Sequence, residues 1–369
     1  MTMAEQASEW GNDPGVGNGG AAAAFSEAMV EACGRAVEAA GGAVERTFRV
    51  GGRLLRLRFA GPALTSHVTP ALEHLAVMTS DKPDLTVGLW DTASTGVYPP
   101  GSRWHTGDYI ARGEVKHTLG DRVQISFSID SGTLHYYDLD RGIATCWVRH
   151  PEHIPAWEVA APLRPLLGWW AGEIGGQLAH GAAVGDGVSG ILLAARGGSG
   201  KSTVALACLE AGLRYLGDDY VLLRDSDQPA VCSLYNTAKL VPGHLDAKLP
   251  QLRRLAMREA EPGQDKVIMF LKESHGDLLA NEMALRAIVV PRVSEAGRTA
   301  LRSASRVAVL MALAPTSIFQ LPGAGEAALR TMSDLVQRVP GYSLELGPDL
   351  DESVGVIREL LAAEGRYDC

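Results

Sequence analysis

The chain has 369 residues, enough for two domains with sizeable cores, and its 46% apolar and 21% charged residues are an ordinary globular mix. A net charge of −9 and a pI near 5.6 argue against nucleic acid or an anionic membrane as the main partner. No apolar run approaches the roughly 18 residues of a membrane span, no signal peptide is visible, and the five cysteines, odd in number and without C-x-x-C spacing, read as reduced cytoplasmic thiols.

In chain order, residues 1–24 are rich in Gly, Ala, Asn and Ser and read as a flexible tail. Phe25, Met29, Cys33 and Val37 recur at every fourth position and predict a helix. Strand signals follow. Phe48 to Phe59 reads as a hairpin turned at Gly51-Gly52, with Leu55, Leu57 and Phe59 on one face and Arg56 and Arg58 on the other. Further strands are expected at 85–90, 123–129, 134–139 and 143–149, so residues 25–155 read as a strand-rich α+β domain suited to recognising a substrate or partner. It shows no catalytic constellation, and His117, His135, Asp138 and Asp140 read as solvated turn or strand residues.

The pattern changes near Pro151–Pro165. A helix over about 163–175 carries Trp169 and Trp170, which read as packing residues. From His180 onward strands and helices alternate, so residues 156–369 read as an α/β domain. Strands are expected at 182–184, 191–194, 214–216, 220–223, 266–271, 285–290 and 342–346, and helices at 202–211, 327–338 and 350–363. Ala314-Pro315-Thr316-Ser317 reads as a turn with a cap for a short helix.

Within that domain, the apolar run Gly190–Leu193 leads through Ala194-Ala195-Arg196-Gly197-Gly198-Ser199-Gly200-Lys201-Ser202-Thr203 into Val204–Leu209, the order strand, glycine loop, helix. Glycines let consecutive N–H groups converge on one phosphate, and the helix N-terminus adds the positive end of its dipole. Arg196, Gly197, Gly198, Ser199, Gly200, Lys201, Ser202 and Thr203 are therefore candidate nucleotide-holding residues, with Lys201 on the β/γ-phosphates and Ser202 on Mg²⁺. Ala195 stands where G-x-x-x-x-G-K-[ST] has its first glycine, which is tolerable only with φ below zero.

The helix ends at Gly212, and the strand Arg214–Leu216 closes on Gly217-Asp218-Asp219, the acids lying 17 and 18 positions after Lys201. Parallel strands in a β–loop–α–β unit bring both strand ends to the edge that carries the loop. One carboxylate can then hold or water-bridge the metal while the other accepts the proton of an attacking hydroxyl. His180, 21 positions before Lys201, reads on its own as a hydrogen-bonded structural histidine, distant from the loop unless a hairpin brings it round. Asn236 and Lys239 read as a solvated loop, with contact to nucleotide or acceptor as the alternative.

The order His180, Gly197-Gly198-Ser199-Gly200-Lys201-Ser202, Gly212, Asp218-Asp219 resembles the catalytic domain of HPr kinase/phosphorylase, a bacterial serine kinase family whose P-loop fold is related to phosphoenolpyruvate carboxykinase. The resemblance covers 180–223. It implies a P-loop kinase domain behind a smaller strand-rich one, Asp219 as the base taking a serine proton, Asp218 supporting the metal and His180 near the reacting groups. The implied activity is transfer of the γ-phosphoryl of ATP, with Mg²⁺, to a serine of a protein or peptide in the cytoplasm, with neither nucleic acid nor membrane as partner and a homo-oligomer left open. The family's E-x-R-G-L-G-like stretch has no counterpart, since Ser233–Leu240 occupies that region, and Arg286 and Arg292 are the nearest candidates for a family arginine. The alternatives are a small-molecule kinase of the shikimate or gluconate kinase type, or a nucleotide-binding regulator without catalysis.

Overall fold

The computed structural model describes residues 18–101, 113, 122–256, 266–294, 297–320 and 325–363. It is a mixed α/β protein with several sheets. The described residues form two compact units, one running to Pro70 and from Ala76 to Trp169, the other comprising Ala71–Leu75 and Trp170 onward. The expected boundary after residue 155 lies inside the first of these.

In the first unit a helix α1 (Asn18–Ala39) packs on a six-stranded sheet of β1 (Ala43–Val50), β2 (Arg53–Ala60), β3 (Leu85–Asp91), β4 (Val123–Ser128), β5 (Thr133–Asp138) and β6 (Ile143–Val148), in spatial order β1-β2-β3-β6-β5-β4. Gly51 and Gly52 have φ of 54° and 78°, the pair of positive values that a two-residue hairpin matched to strand twist requires. Met29, Ala32 and Ala36 of α1 pack with Trp90, Tyr136 and Trp147 in one core.

Three expectations fail in this unit. Residues 18–24 are helical, because the alanine-rich run Ala21–Ala24 is a strong helix former continuous with the packed helix; residues 1–17 lie outside the described set. His135 and Asp138 are buried at 3% and 4% exposure, since β5 is an inner strand covered on both faces; Asp138 accepts a hydrogen bond from the Ser26 hydroxyl at 2.6 Å. Asp140 is exposed, and His117 lies outside the described residues.

Helix α2 (Arg164–Glu173) carries the division between Trp169 and Trp170, both buried. Beyond it run β7 (Gly176–His180), β8 (Ala182–Gly185), β9 (Ser189–Leu193), α3 (Lys201–Glu210), β10 (Arg214–Gly217), β11 (Tyr220–Arg224) and β12 (Ala230–Cys232). After these come β13 (Thr237–Leu240), α4 (Pro242–Lys248), β14 (Val267–Phe270), β15 (Glu282–Val293), β16 (Ala300–Ser303), α5 (Arg306–Gln320), α6 (Glu326–Arg338), β17 (Gly341–Leu346) and α7 (Leu350–Ala362). The main sheet has the order β10-β8-β9-β15-β12-β11-β7, with β17 parallel to the C-terminal half of β15 and β16 on its far side; β13 and β14 form a separate pair. Helices α3 and α7 pack together over one core with β8, β9, β15 and β17.

Strands β9 and β10 run in the same direction, but β8 lies between them, antiparallel to both. The same pairing continues past a bend. β8 pairs with β10 and β7 with β11, so 176–185 and 214–224 are two bent antiparallel strands that break together, at Gly181 and at Asp218-Asp219. A side chain at Gly181 would stand 2.9 Å from the Leu193 carbonyl, so only glycine permits that crossing.

Two loop readings are overturned here. Ala314–Ser317 lies inside α5. Proline is tolerated there because the helix donor it lacks would have served Met311, an exposed residue. Asn236 is fully buried and Lys239 belongs to β13, held by pairing with β14, so that segment is strand-bound and not solvated.

Candidate functional site

The loop between β9 and α3 starts from a negative φ at Ala195, since Leu163 and Asp219 alone among described non-glycine residues have positive φ. Gly198 and Gly200 take φ of 79° and 94°, which turns the backbone into the first turn of α3. The side chain of Lys201 is 7% exposed and its ammonium donates to the carbonyls of Ala195 (2.7 Å) and Arg196 (3.1 Å). Burial draws this lysine below its usual range, while Asp218 and Asp219 oppose the shift.

Asp218 is 2% exposed and accepts from the Ser202 hydroxyl at 3.0 Å and from the Lys239 backbone N–H at 3.2 Å. Burial pushes its carboxyl up, Asp219 beside it adds to the rise, and the two donors offset part of it. With its proton committed to Asp218, Ser202 Oγ leaves lone pairs for a cation. Such hard oxygen donors suit Mg²⁺, which takes few protein ligands alongside phosphate oxygens. No cluster of three or more His, Cys, Asp or Glu able to cage a metal occurs among the described residues.

Asp219 has a left-handed φ of 71°, a conformation that Asp and Asn tolerate better than other side chains do. The bend is tied on both sides: the Tyr220 N–H donates to the Asp218 carbonyl at 3.0 Å and the Gly181 N–H to the Asp219 carbonyl at 3.1 Å. The Asp219 carboxylate meets the Lys239 ammonium at 2.8 Å through Oδ2, and His180 Nε2 stands 3.6 Å from Oδ1, too far for a hydrogen bond. Burial alone would raise this carboxyl, but the Lys239 ammonium, with His180 behind it, holds it well below the usual carboxylate range.

His180 ends β7 directly opposite Tyr220. Its backbone N–H donates to Ser317 Oγ at 3.0 Å, and that hydroxyl donates to the Leu313 carbonyl at 2.9 Å, so helix α5 anchors the end of the strand. The side chain is 10% exposed, and its buried Nδ1 has no hydrogen-bond partner.

These groups border one cavity of about 530 Å³, lined by Gly197–Val204 together with His180, Asp219 and Lys239. The lining also includes Val241, Val293, Leu346 and Pro348, of which Leu346 and Val293 lie against Gly200 of the loop and Val293 is exposed, and a basic rim of His244, Lys248 and Lys266. Asp218 sits behind Ser202, outside the lining, and the exposed Arg196 contributes its carbonyl and not its side chain.

Of the residues singled out in the sequence, Lys201, Ser202, Asp218, Asp219 and His180 converge here, with Gly197, Gly198, Ser199, Gly200 and Thr203 forming the adjoining wall. Arg286 is turned away, its Nε donating to the Leu360 carbonyl, and Arg292 is exposed and paired with Glu345. The rim lysines and Ser317 carried no signal in the sequence, because each reaches the site from an element far along the chain.

No family model and no curated protein matches the chain. Among solved structures it is similar to the Hpr(Ser) kinase/phosphatase from Coxiella burnetii, at 14% identity over 50% of this chain and 91% of that one, with a TM-score of 0.28.

Proposed function

We propose that the second unit is a P-loop kinase that transfers the γ-phosphoryl of ATP to a serine hydroxyl of a protein or peptide. The observation that carries this reading is that a glycine loop presenting Lys201 and Ser202, and the carboxylate of Asp219, border one cavity large enough for a nucleotide. The loop amides and the α3 N-terminus supply a site for phosphates. Lys201 is the buried cation of that loop, and the apolar side chains of Val241, Val293 and Leu346 beside it suit a flat base. Ser202, oriented by Asp218, would hold Mg²⁺, which neutralises phosphate charge when bound.

Asp219 takes the hydroxyl proton as the serine oxygen attacks, and the bend at 218–219 keeps its carboxylate facing the cavity. His180, fixed through Ser317, borders the same acid and limits its freedom to rotate. Positioning and charge carry most of the rate in such a transfer. The strand-rich first unit is the candidate recognition module for a macromolecular acceptor.

The test is incubation of the purified chain with γ-labelled ATP and Mg²⁺ alongside lysate or the products of neighbouring genes, followed by mass spectrometry of the labelled species. Lys201→Ala should keep its fold and lose all transfer. A Lys201→Ala protein that labels the same species as fast as wild type removes the glycine loop from the chemistry.

A further inference from the structure

We propose that Lys239 is a further catalytic residue, the cation that spans from Asp219 to the phosphoryl group in flight. This rests on the kinase reading above. The side chain leaves β13 and borders the cavity at 14% exposure, with its ammonium 2.8 Å from Asp219 Oδ2. The backbone N–H of the same residue holds Asp218 at 3.2 Å. One residue therefore engages both acids, through two different groups.

A purely structural ion pair explains this poorly. Burying two charges costs about as much as their attraction returns, so such a pair adds little stability. Here the pair also faces the cavity that the glycine loop borders. An ammonium has three donors and Asp219 takes one, which leaves two for oxygens in the cavity. Lys201 is bonded to the loop carbonyls and Lys266 acts on Asp218, whereas Lys239 is the ammonium in direct contact with Asp219.

In-line transfer gives such a cation a role. The serine Oγ–P bond forms while the bond from Pγ to the bridging oxygen breaks, ADP leaves with that electron pair, and the hydroxyl proton passes to Asp219. Negative charge on the three equatorial oxygens then lies between the loop and the base. A cation anchored to the base meets that charge and draws the phosphoryl toward the nucleophile.

The experiment compares wild type with Lys239→Met and Lys239→Arg. Affinity is read with a fluorescent non-hydrolysable ATP analogue and Mg²⁺, and the chemical step as single-turnover release of γ-phosphate to water, which stands in for the acceptor hydroxyl. Lys239→Met should hold affinity within about threefold and slow release by roughly 100-fold, the scale for losing one preorganised charge contact in a transition state. Lys239→Arg should recover about tenfold of that loss. Unchanged release in Lys239→Met, or equal losses in affinity and release with no recovery in Lys239→Arg, overturns the role of Lys239 alone. A folded wild type that neither binds the analogue nor releases phosphate overturns the kinase reading and this inference with it.

Discussion

Asp219→Asn separates three things that Asp219 does at once: it sits at a left-handed φ, pairs with a lysine and, in the proposed reaction, takes a proton. At φ 71° Asn is as well tolerated as Asp, whereas a Cβ-bearing residue without that local polar group costs about 1–2 kcal/mol. The Lys239 pair is 2.8 Å long with side chains 14% and 20% exposed. Removing one partner of a fully buried pair costs about 3–5 kcal/mol, and partial solvent access with an amide oxygen still able to accept brings this to roughly 1–3 kcal/mol. Losing the proton acceptor slows transfer by about 10²–10⁴-fold, equivalent to roughly 3–5 kcal/mol of barrier. Asp219→Asn should therefore melt a few degrees below wild type and bind nucleotide, yet lose at least a hundredfold in single-turnover transfer. Asp219→Ala should melt lower still by the added backbone term. Calorimetry, nucleotide titration and quenched-flow labelling give the three numbers. Transfer by Asp219→Asn within threefold of wild type would refute Asp219 as the base, and equal melting of the Asn and Ala variants would refute the backbone argument.

Gly200→Ala should weaken nucleotide binding at least tenfold and destabilise by about 1–3 kcal/mol, because φ is 94° and the new Cβ would lie 2.6 Å from Leu346 Cδ1. Leu346→Ala removes the clash but not the φ cost, and Leu346 is itself a core residue, so nucleotide affinity of the double variant, compared with Leu346→Ala alone, should recover only in part. His135, 3% exposed with both ring nitrogens lacking hydrogen bonds, has its pKa pressed from 6.5 down to about 3, first by burial and then by Arg164. Its folded value lies below the unfolded one, so the stability linked to it is complete above about pH 6.5 and is lost as pH falls toward 3. At pH 5 the loss is about 2 kcal/mol, and His135→Leu should remove that part of the pH dependence in urea midpoints measured at pH 5 and 7.5. An identical slope in the variant would show that His135 is not the group responsible.

Elements set by local chemistry were legible in the sequence. The apolar run of β9, the glycines before Lys201, the amphipathic α7 and the hairpin at Gly51-Gly52 depend on neighbours within a few positions. So does the end of β10 at Asp218-Asp219. What local chemistry left open is which distant groups meet those acids. His180 reaches Asp219 only because β7 and β8 pair with β10 and β11 across a shared bend that Gly181 permits. Lys239 arrives on a strand whose pairing partner, β14, lies some 30 residues further on, and Ser317 sits in a helix whose proline suggested a turn. These contacts are set by strand register and burial between segments far apart in the chain, so only the tertiary structure could decide them. The sequence determined that a glycine loop precedes an acid pair; the folded sheet decided which cation and which histidine stand against it.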